Sequence, residues 1–214
     1  VPVHKLICAS NSNKVLYDFF QTGEYDRNRE FVLTTSPSMD ILISSNLERL
    51  IYHIAGDSAE ADAGFMKKLS EEGKYQITDE MRERLGDFAG GYATEEETAE
   101  EIRERYEKDG YVIDPHTAVA SAVYGKYRKE TGDATRTVIV STASPFKFET
   151  SVMKALGKPH ELPDLELADA LSAVSGVAVP KAVAGLRGAE IRHKTVCDKD
   201  EKAMAAEVEK FLGM

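Results

Sequence analysis

Three short apolar runs in this chain each end in a cluster of small hydroxyls and amides that leads into a helix-like segment. They are Leu6-Ile7-Cys8-Ala9 into Ser10-Asn11-Ser12-Asn13, Phe31-Val32-Leu33 into Thr34-Thr35-Ser36-Pro37-Ser38, and Val138-Ile139-Val140 into Ser141-Thr142-Ala143-Ser144-Pro145. That repeated grammar describes parallel strands followed by helices. In such sheets the crevice beyond the carboxyl ends of the strands receives free backbone N–H groups from helix N-termini, which favour anions, while short hydroxyls orient a small polar ligand. The pattern predicts an α/β fold, a parallel sheet flanked by helices in three layers, built to hold a phosphate-bearing small molecule.

Composition agrees. A chain of 214 residues, 42% hydrophobic and 30% charged, can bury a substantial core. Lys and Arg total 27 against 37 Asp and Glu, so the net charge of −10 repels nucleic-acid phosphates and anionic membrane surfaces, and both are discounted as partners. Cys8 and Cys197 are too few for a disulfide framework or a thiolate metal site, which fits a reducing cytoplasm. No stretch approaches the roughly 18 to 20 apolar residues that span a bilayer. Opening at Val1 directly in a strand-like pattern, the chain reads as a piece of something longer. A cut through a sheet would expose apolar surface, so self-association is expected.

Along the chain, strands are expected at 4–9 and 30–35, with helices at 14–21 and from about Ile41 to Ala55. Ser58 is a candidate N-cap for the next helix. Residues 57–110, rich in Glu, Lys and Arg, read as a helical excursion at the side of the sheet with few strands. Within it Thr94 and Glu97 have the capping-box spacing. Asp114-Pro115 then starts a helix running to Arg128, and a strand follows at 136–141. Helices are expected around 147–156 and from Asp164 to Val174, with a Pro180-initiated turn and a final strand near Ala189–Ile191. A last helix at 198–212 should bury Met204, Val208, Phe211 and Leu212.

The common catalytic signatures are missing: no Gly-x-Gly-x-x-Gly, no Gly-Lys-Ser/Thr phosphate loop, no His-Glu-x-x-His and no Gly-x-Ser-x-Gly. Five histidines are scattered, and only His116, just after Asp114-Pro115, sits in a suggestive context; a helix-start residue bonding nearby backbone is its plainer role. The carboxylates at Glu95–Glu97 and Glu100–Glu101 point in different directions on a helix, which makes a solvated face and no metal site.

Several stretches taken together resemble the threonine synthase family, pyridoxal-phosphate enzymes of the tryptophan-synthase-β structural type. They are Ile7-Cys8-Ala9-Ser10-Asn11-Ser12-Asn13-Lys14, Phe19-Phe20-Gln21-Thr22-Gly23-Glu24-Tyr25-Asp26, Ser36-Pro37-Ser38-Met39-Asp40-Ile41 with Ser44-Ser45-Asn46-Leu47-Glu48-Arg49-Leu50, Asp114-Pro115-His116-Thr117-Ala118-Val119, and Ser141-Thr142-Ala143-Ser144-Pro145. The match runs in order from residue 5 to about 150 and implies the C-terminal portion of such an enzyme. The family converts O-phospho-L-homoserine and water to L-threonine and phosphate, with the pyridine ring of the cofactor as electron sink.

The resemblance implies roles residue by residue. Thr142, with Ser141 beside it, matches the hydroxyl that faces the pyridine ring nitrogen. Asn11, Ser12 and Asn13 lie where cofactor and substrate meet. Ser36, Ser38, Asn46 and Arg49 would hold substrate phosphate, and His116 joins the substrate set. Turn and cap chemistry is the alternative role for these polar residues. The chain departs from the family at Ser144, where many members carry His. It also lacks the Phe-Lys-Asp context of the imine-forming lysine and the Gly-Asn-Phe-Gly phosphate loop, both of which precede the matching region; Lys147 in Phe146-Lys147-Phe148 does not match. The isolated chain is therefore expected to be inactive, needing the N-terminal part of the enzyme as partner. A non-catalytic binding or interaction module on the same scaffold is the competing reading.

Overall fold

The computed structural model describes residues 2–214, which divide into two units, one reaching to Val179 and the other Pro180–Met214. In the first, β1 (Leu6–Ser10) leads into α1 (Val15–Thr22), and a short β2 (Glu24–Asp26) follows. An irregular stretch then reaches a 3-10 turn at Pro37–Met39 before α2 (Leu47–Ile54), α3 (Ala59–Glu71), β3 (Lys74–Gln76), α4 (Asp79–Glu83) and β4 (Phe88–Tyr92). The long pair α5 (Glu95–Asp109) and α6 (Pro115–Thr131) comes next, then a 3-10 turn at Pro145–Lys147, α7 (Glu149–Ala155) and α8 (Asp164–Ser175).

β1 and β4 form a parallel pair with Leu6 beside Phe88 and Ser10 beside Tyr92, while β2 and β3 pair antiparallel. The parallel pair is sandwiched between α1 and α6, which makes the three layers of an α/β fold. The sandwich is thin because β4 carries Gly90 and Gly91: a Cβ at Gly90 would lie 2.8 Å from Phe20 Cβ on α1, and one at Gly91 2.4 Å from Val123 Cγ1 on α6. One core, built on Phe19, Tyr25, Ile51, Ile54 and Tyr75, holds α1, α2, α3 and the antiparallel pair together. A second, around Ala93, Val119 and Val123, joins α6 to the sheet.

The helix starts are those the caps predict. Ser58 accepts the amide of Ala61, and Thr94 and Glu97 exchange bonds in a full capping box. Asp114 caps α6, with Pro115 in its first turn.

The strand pattern differs from expectation in several places. The excursion at 57–110 is not only helical: it supplies β3 and β4, and β4 is the parallel neighbour of β1. Its short sequence Phe-Ala-Gly-Gly-Tyr has little strand propensity and gains its geometry from the ladder. The apolar runs at 30–35 and 136–141 form no strands among the described residues, because a strand needs a neighbour to exchange backbone hydrogen bonds with and neither finds one. Val138 and Val140 are left 84% and 72% exposed. The first run of α2 was expected from Ile41, but the helix begins at Leu47. Tyr25 holds the intervening loop off the helical path, its phenol donating to Leu42 O at 2.9 Å and accepting Ser44 N–H at 2.8 Å.

The second unit contains α9 (Lys181–Ala184) and α10 (Glu201–Leu212), the latter capped by Asp200. Residues 189–191 are not a strand. Met204, Val208, Phe211 and Leu212, expected to be buried, are exposed. Their spacing is helical, but burial also requires an opposing apolar surface, and a segment this short has little to offer. No helix among the described residues is long and apolar enough to cross a membrane.

Candidate functional site

The carboxyl end of β1 runs into a polar knot. Asn11 is 1% exposed, and its Nδ2 donates to Asp40 Oδ1 at 2.7 Å and Thr34 Oγ1 at 2.9 Å, with Ser36 Oγ at 3.1 Å. Its Oδ1 accepts the amide of Asn13 at 3.1 Å. Asn13 donates to Val32 O at 2.8 Å and accepts Val32 N–H at 2.9 Å. Asp40 completes the knot, Oδ1 also accepting from Thr34 Oγ1 and Oδ2 from Thr34 N. Asn11, Asn13 and Ser36 are thus fully engaged within the chain. They tie the irregular 32–40 stretch to the tip of β1, as buried polar atoms must find partners.

Two hollows open around this tip and share a wall at Ser38 and Met39. The first, about 280 Å³, lies over the start of α1 and is lined by Ser10, Asn11, Asn13, Lys14, Ser44 and Asn46 among others. Lys14, the N-cap of α1, sits in the left-handed region at φ 40 and makes no side-chain cap bond. Lys14 and the first residues of α1, Val15 and Leu16, line this hollow, while the Lys14 ammonium lies 4.0 Å from Asp18 Oδ1 and over the Tyr92 ring. Tyr25, whose phenol burial pushes above its ordinary pKa, fixes the Ser44 side of this hollow.

The second hollow, about 400 Å³, is lined by Ile7, Ala9, Ser38, Met39, His116, Ala120, Tyr124, residues 137–140 and Thr142. His116 Nε2 accepts the amide of Ser38 at 3.2 Å, so its proton sits on Nδ1, which faces Asp114 Oδ1 at 3.0 Å. Thr117 Oγ1 hydrogen-bonds Asp114 Oδ2 and lies 2.9 Å from Ser141 Oγ. A threonine hydroxyl has one proton, and the carboxylate takes it; the Ser141 hydroxyl is then the donor of the second bond. Thr142 carries no hydrogen bond to the chain among the described residues, and its side chain lines the hollow.

The family model described as "Threonine synthase, C-terminal" matches residues 117–208, which include Thr117, Ser141 and Thr142. A threonine synthase-like 1 protein of Macaca fascicularis is 34% identical over 218 residues, covering 99% of this chain and 29% of its own length. Yeast threonine synthase superposes on 100% of this chain and 43% of its own with a TM-score of 0.81 at 29% identity.

The chain belongs to the threonine synthase family.

It corresponds to the C-terminal portion and spans less than half the length of the relatives it matches. A threonine synthase of Brucella melitensis, solved with pyridoxal phosphate bound, covers 82% of this chain and 36% of its own at 36% identity and a TM-score of 0.68.

A threonine synthase site drawn from sequence alone holds ten residues, and the structure distributes them. Ser38, His116 and Thr142 line the second hollow; Asn11, Asn13, Ser38 and Asn46 line the first. Ser141 and Ser36 stand one hydrogen bond behind these walls, bonded to Thr117 and Asn11. Ser12 and Arg49 line neither hollow; Arg49 is exposed and donates to Asn46 Oδ1 at 2.7 Å. Asp40, Asp114, Thr117 and Lys14 are the residues sequence reading missed. Asp114 was legible as a cap, but nothing in the spacing announces that one carboxylate serves both a histidine and a threonine.

The donor set of the second hollow fits a pyridine ring in one respect. Thr142, exposed at the rim of the hollow, offers a neutral hydroxyl without a partner in the chain among the described residues, which suits a ring nitrogen without forcing a charge on it. Among the described residues, no lysine lines that hollow.

Proposed function

We propose that this chain is the C-terminal part of a pyridoxal-phosphate-dependent threonine synthase, serving the conversion of O-phospho-L-homoserine and water to L-threonine and phosphate. One observation supports the reading above others: a hollow over the start of α1 and a hollow bordered by Thr142 adjoin across the Ser38–Met39 wall at the carboxyl end of a parallel strand.

Thr142 would hold the cofactor's ring nitrogen, with Ser141 bracing its backbone through Thr117. When bound, the cofactor supplies an electron sink for carbanions on the amino-acid substrate. The first turn of α1, Lys14 and Asn46 would orient a phosphate in the first hollow, with Arg49 holding Asn46 in place. Asn11, Asn13 and Ser36 serve by fixing the wall, Ser12 lies at the same strand tip, and His116 orients Ser38.

The same reading makes the chain inactive alone, because the hollow that holds Thr142 has no lysine to exchange with the substrate amine. Its partner is the N-terminal part of the enzyme, and the exposed Leu33, Val138 and Val140 are the surface that part would cover. Left uncovered, that surface favours self-association. A cytoplasmic setting belongs to this reading too, consistent with the free Cys8 and Cys197.

Phosphate release from O-phospho-L-homoserine tests the proposal with pyridoxal phosphate present. The chain alone should release none, and the chain combined with the N-terminal part of a family member should release it. Turnover by the chain alone, or none from the combination, overturns the reading.

A further inference from the structure

The cap of α6 does more than a cap requires. A serine or asparagine can satisfy the first amides of a helix with one oxygen. Asp114 does this with Oδ1, which accepts His116 N–H at 2.9 Å and Thr117 N–H at 3.4 Å. Yet it is 1% exposed and uses both oxygens for two further donors, His116 Nδ1 at 3.0 Å and the Thr117 hydroxyl. A buried carboxylate is costly unless it is fully hydrogen-bonded, so the extra donors are what make it tolerable there. Each then reaches a different wall of the Thr142 hollow. His116 Nε2 takes the Ser38 amide at 3.2 Å, and Thr117 Oγ1 meets Ser141 Oγ at 2.9 Å.

The Thr142 wall has little else to fix it, since residues 136–142 belong to no helix or strand. The Ser38 wall is a 3-10 turn that the Asn11–Asp40 knot already ties to the tip of β1. What links one wall to the other is a single carboxylate at the N-terminus of a seventeen-residue helix. That end of the helix also favours the negative charge.

We infer that Asp114 is a positioning residue whose two arms, His116 to Ser38 and Thr117 to Ser141, set the gap across the hollow in which Thr142 lies. The inference rests on the proposed function only where it concerns the cofactor; the clamp itself is a property of this chain. The arms act separately. Loss of the Thr117 hydroxyl frees the Thr142 wall alone, and loss of the carboxylate frees both walls.

Heteronuclear NMR on the 214-residue chain tests this with three variants. Asp114→Ser keeps a capping oxygen but cannot reach either arm, Thr117→Val removes one hydroxyl at nearly constant shape, and Thr117→Ser restores it. In Asp114→Ser the Ser38 amide should exchange with solvent at least about ten-fold faster, the loss expected for one hydrogen bond to a buried partner. In the same variant the backbone order parameters of residues 140–142 should fall from near about 0.85 toward 0.6. Thr117→Val should show the second change without the first, and Thr117→Ser neither. Circular dichroism confirms that α6 stays helical.

Pyridoxal phosphate binding by the chain combined with the N-terminal part of a family member, followed by absorbance, should weaken about ten-fold in both Asp114→Ser and Thr117→Val and recover in Thr117→Ser. The clamp is overturned if Thr117→Val disturbs Ser38 as much as residues 140–142, or if Asp114→Ser with its helix intact leaves both walls unchanged. Failure of the unaltered combination to bind pyridoxal phosphate while the NMR pattern holds counts against the proposed function and leaves the clamp standing.

Discussion

Asn13 binds the backbone of Val32 on both sides, accepting its N–H at 2.9 Å and donating to its carbonyl at 2.8 Å. A side-chain amide therefore does for Val32 what a neighbouring strand would do, and it does so at the tip of β1 where the hollows open. The segment after Glu30 is held extended without a ladder.

Asn13→Ala should unfasten that segment and leave the part-buried N–H and C=O of Val32 without the side-chain amide. With water able to reach them each lost bond is worth about 0.5–1.5 kcal/mol, so the stability measured in urea should fall by roughly 1–3 kcal/mol, and the Val32 amide should lose protection from exchange. Asn13→Asp should be no milder, because its second oxygen would face the Val32 carbonyl and Asp40.

Tyr25→Phe should keep the core packed and free the loop that precedes α2. The ring stacks on Tyr75 at 5.5 Å, and only the phenol bonds to Leu42 and Ser44 are lost. A drop of about 1–3 kcal/mol is expected from the two groups left behind. The Ser44 amide should then exchange faster while near-ultraviolet signals of the core persist.

Alkaline pH should destabilise the fold through groups that burial keeps protonated. Burial pushes the Cys8 thiol up to about 11 from 9.0, and the Tyr25 and Tyr75 phenols move upward as well. Each group gives up its proton more readily unfolded than folded. Its contribution is whole below the unfolded pKa and is lost as pH climbs through the folded one. For Cys8 the decline runs from about pH 9 to about pH 11. Denaturation midpoints at pH 8, 9.5 and 11 should fall in order, and Cys8→Ala should flatten part of the slope.

At pH 8 the same burial should make Cys8 slow toward a disulfide reagent, since the thiolate is the reactive form. Cys197 is exposed. One fast and one slow thiol per chain is the expected titration, and in Cys197→Ser the slow thiol alone remains.

Much of the fold was legible because it is written locally. Ser58, Thr94 and Asp114 announce helix starts with their own side chains, and the apolar stripe of α2 buries as Leu47, Ile51 and Ile54. What misled is what depends on a neighbour. Val138-Ile139-Val140 reads as a strand, yet without a pairing partner it stays irregular; Phe-Ala-Gly-Gly-Tyr reads as nothing and becomes β4 beside β1. The α10 stripe is a true helical pattern whose residues stay exposed. At the hollows, resemblance pointed to Thr142 and Ser38, and both border the second hollow. The Asp40 knot and the Asp114 arms were not legible, since they join residues 6 to 78 positions apart.

Gly91→Ala should cost about 1–3 kcal/mol as overpacking, because its methyl would land 2.4 Å from Val123 Cγ1. Pairing it with Val123→Ala should recover part of the loss in urea midpoints.

Those two glycines also act as a gauge on the chemistry at a distance. Val123 lies nine residues beyond Asp114 on the same rigid rod, about 13 Å along its axis. A bulkier residue at position 91 tilts the rod and swings its capped tip, so the spacing of strand and helix deep in the core is tuned by the same contact that aims the residues at the mouth. A change at that glycine should thus be felt at the mouth as well as in how well the chain folds.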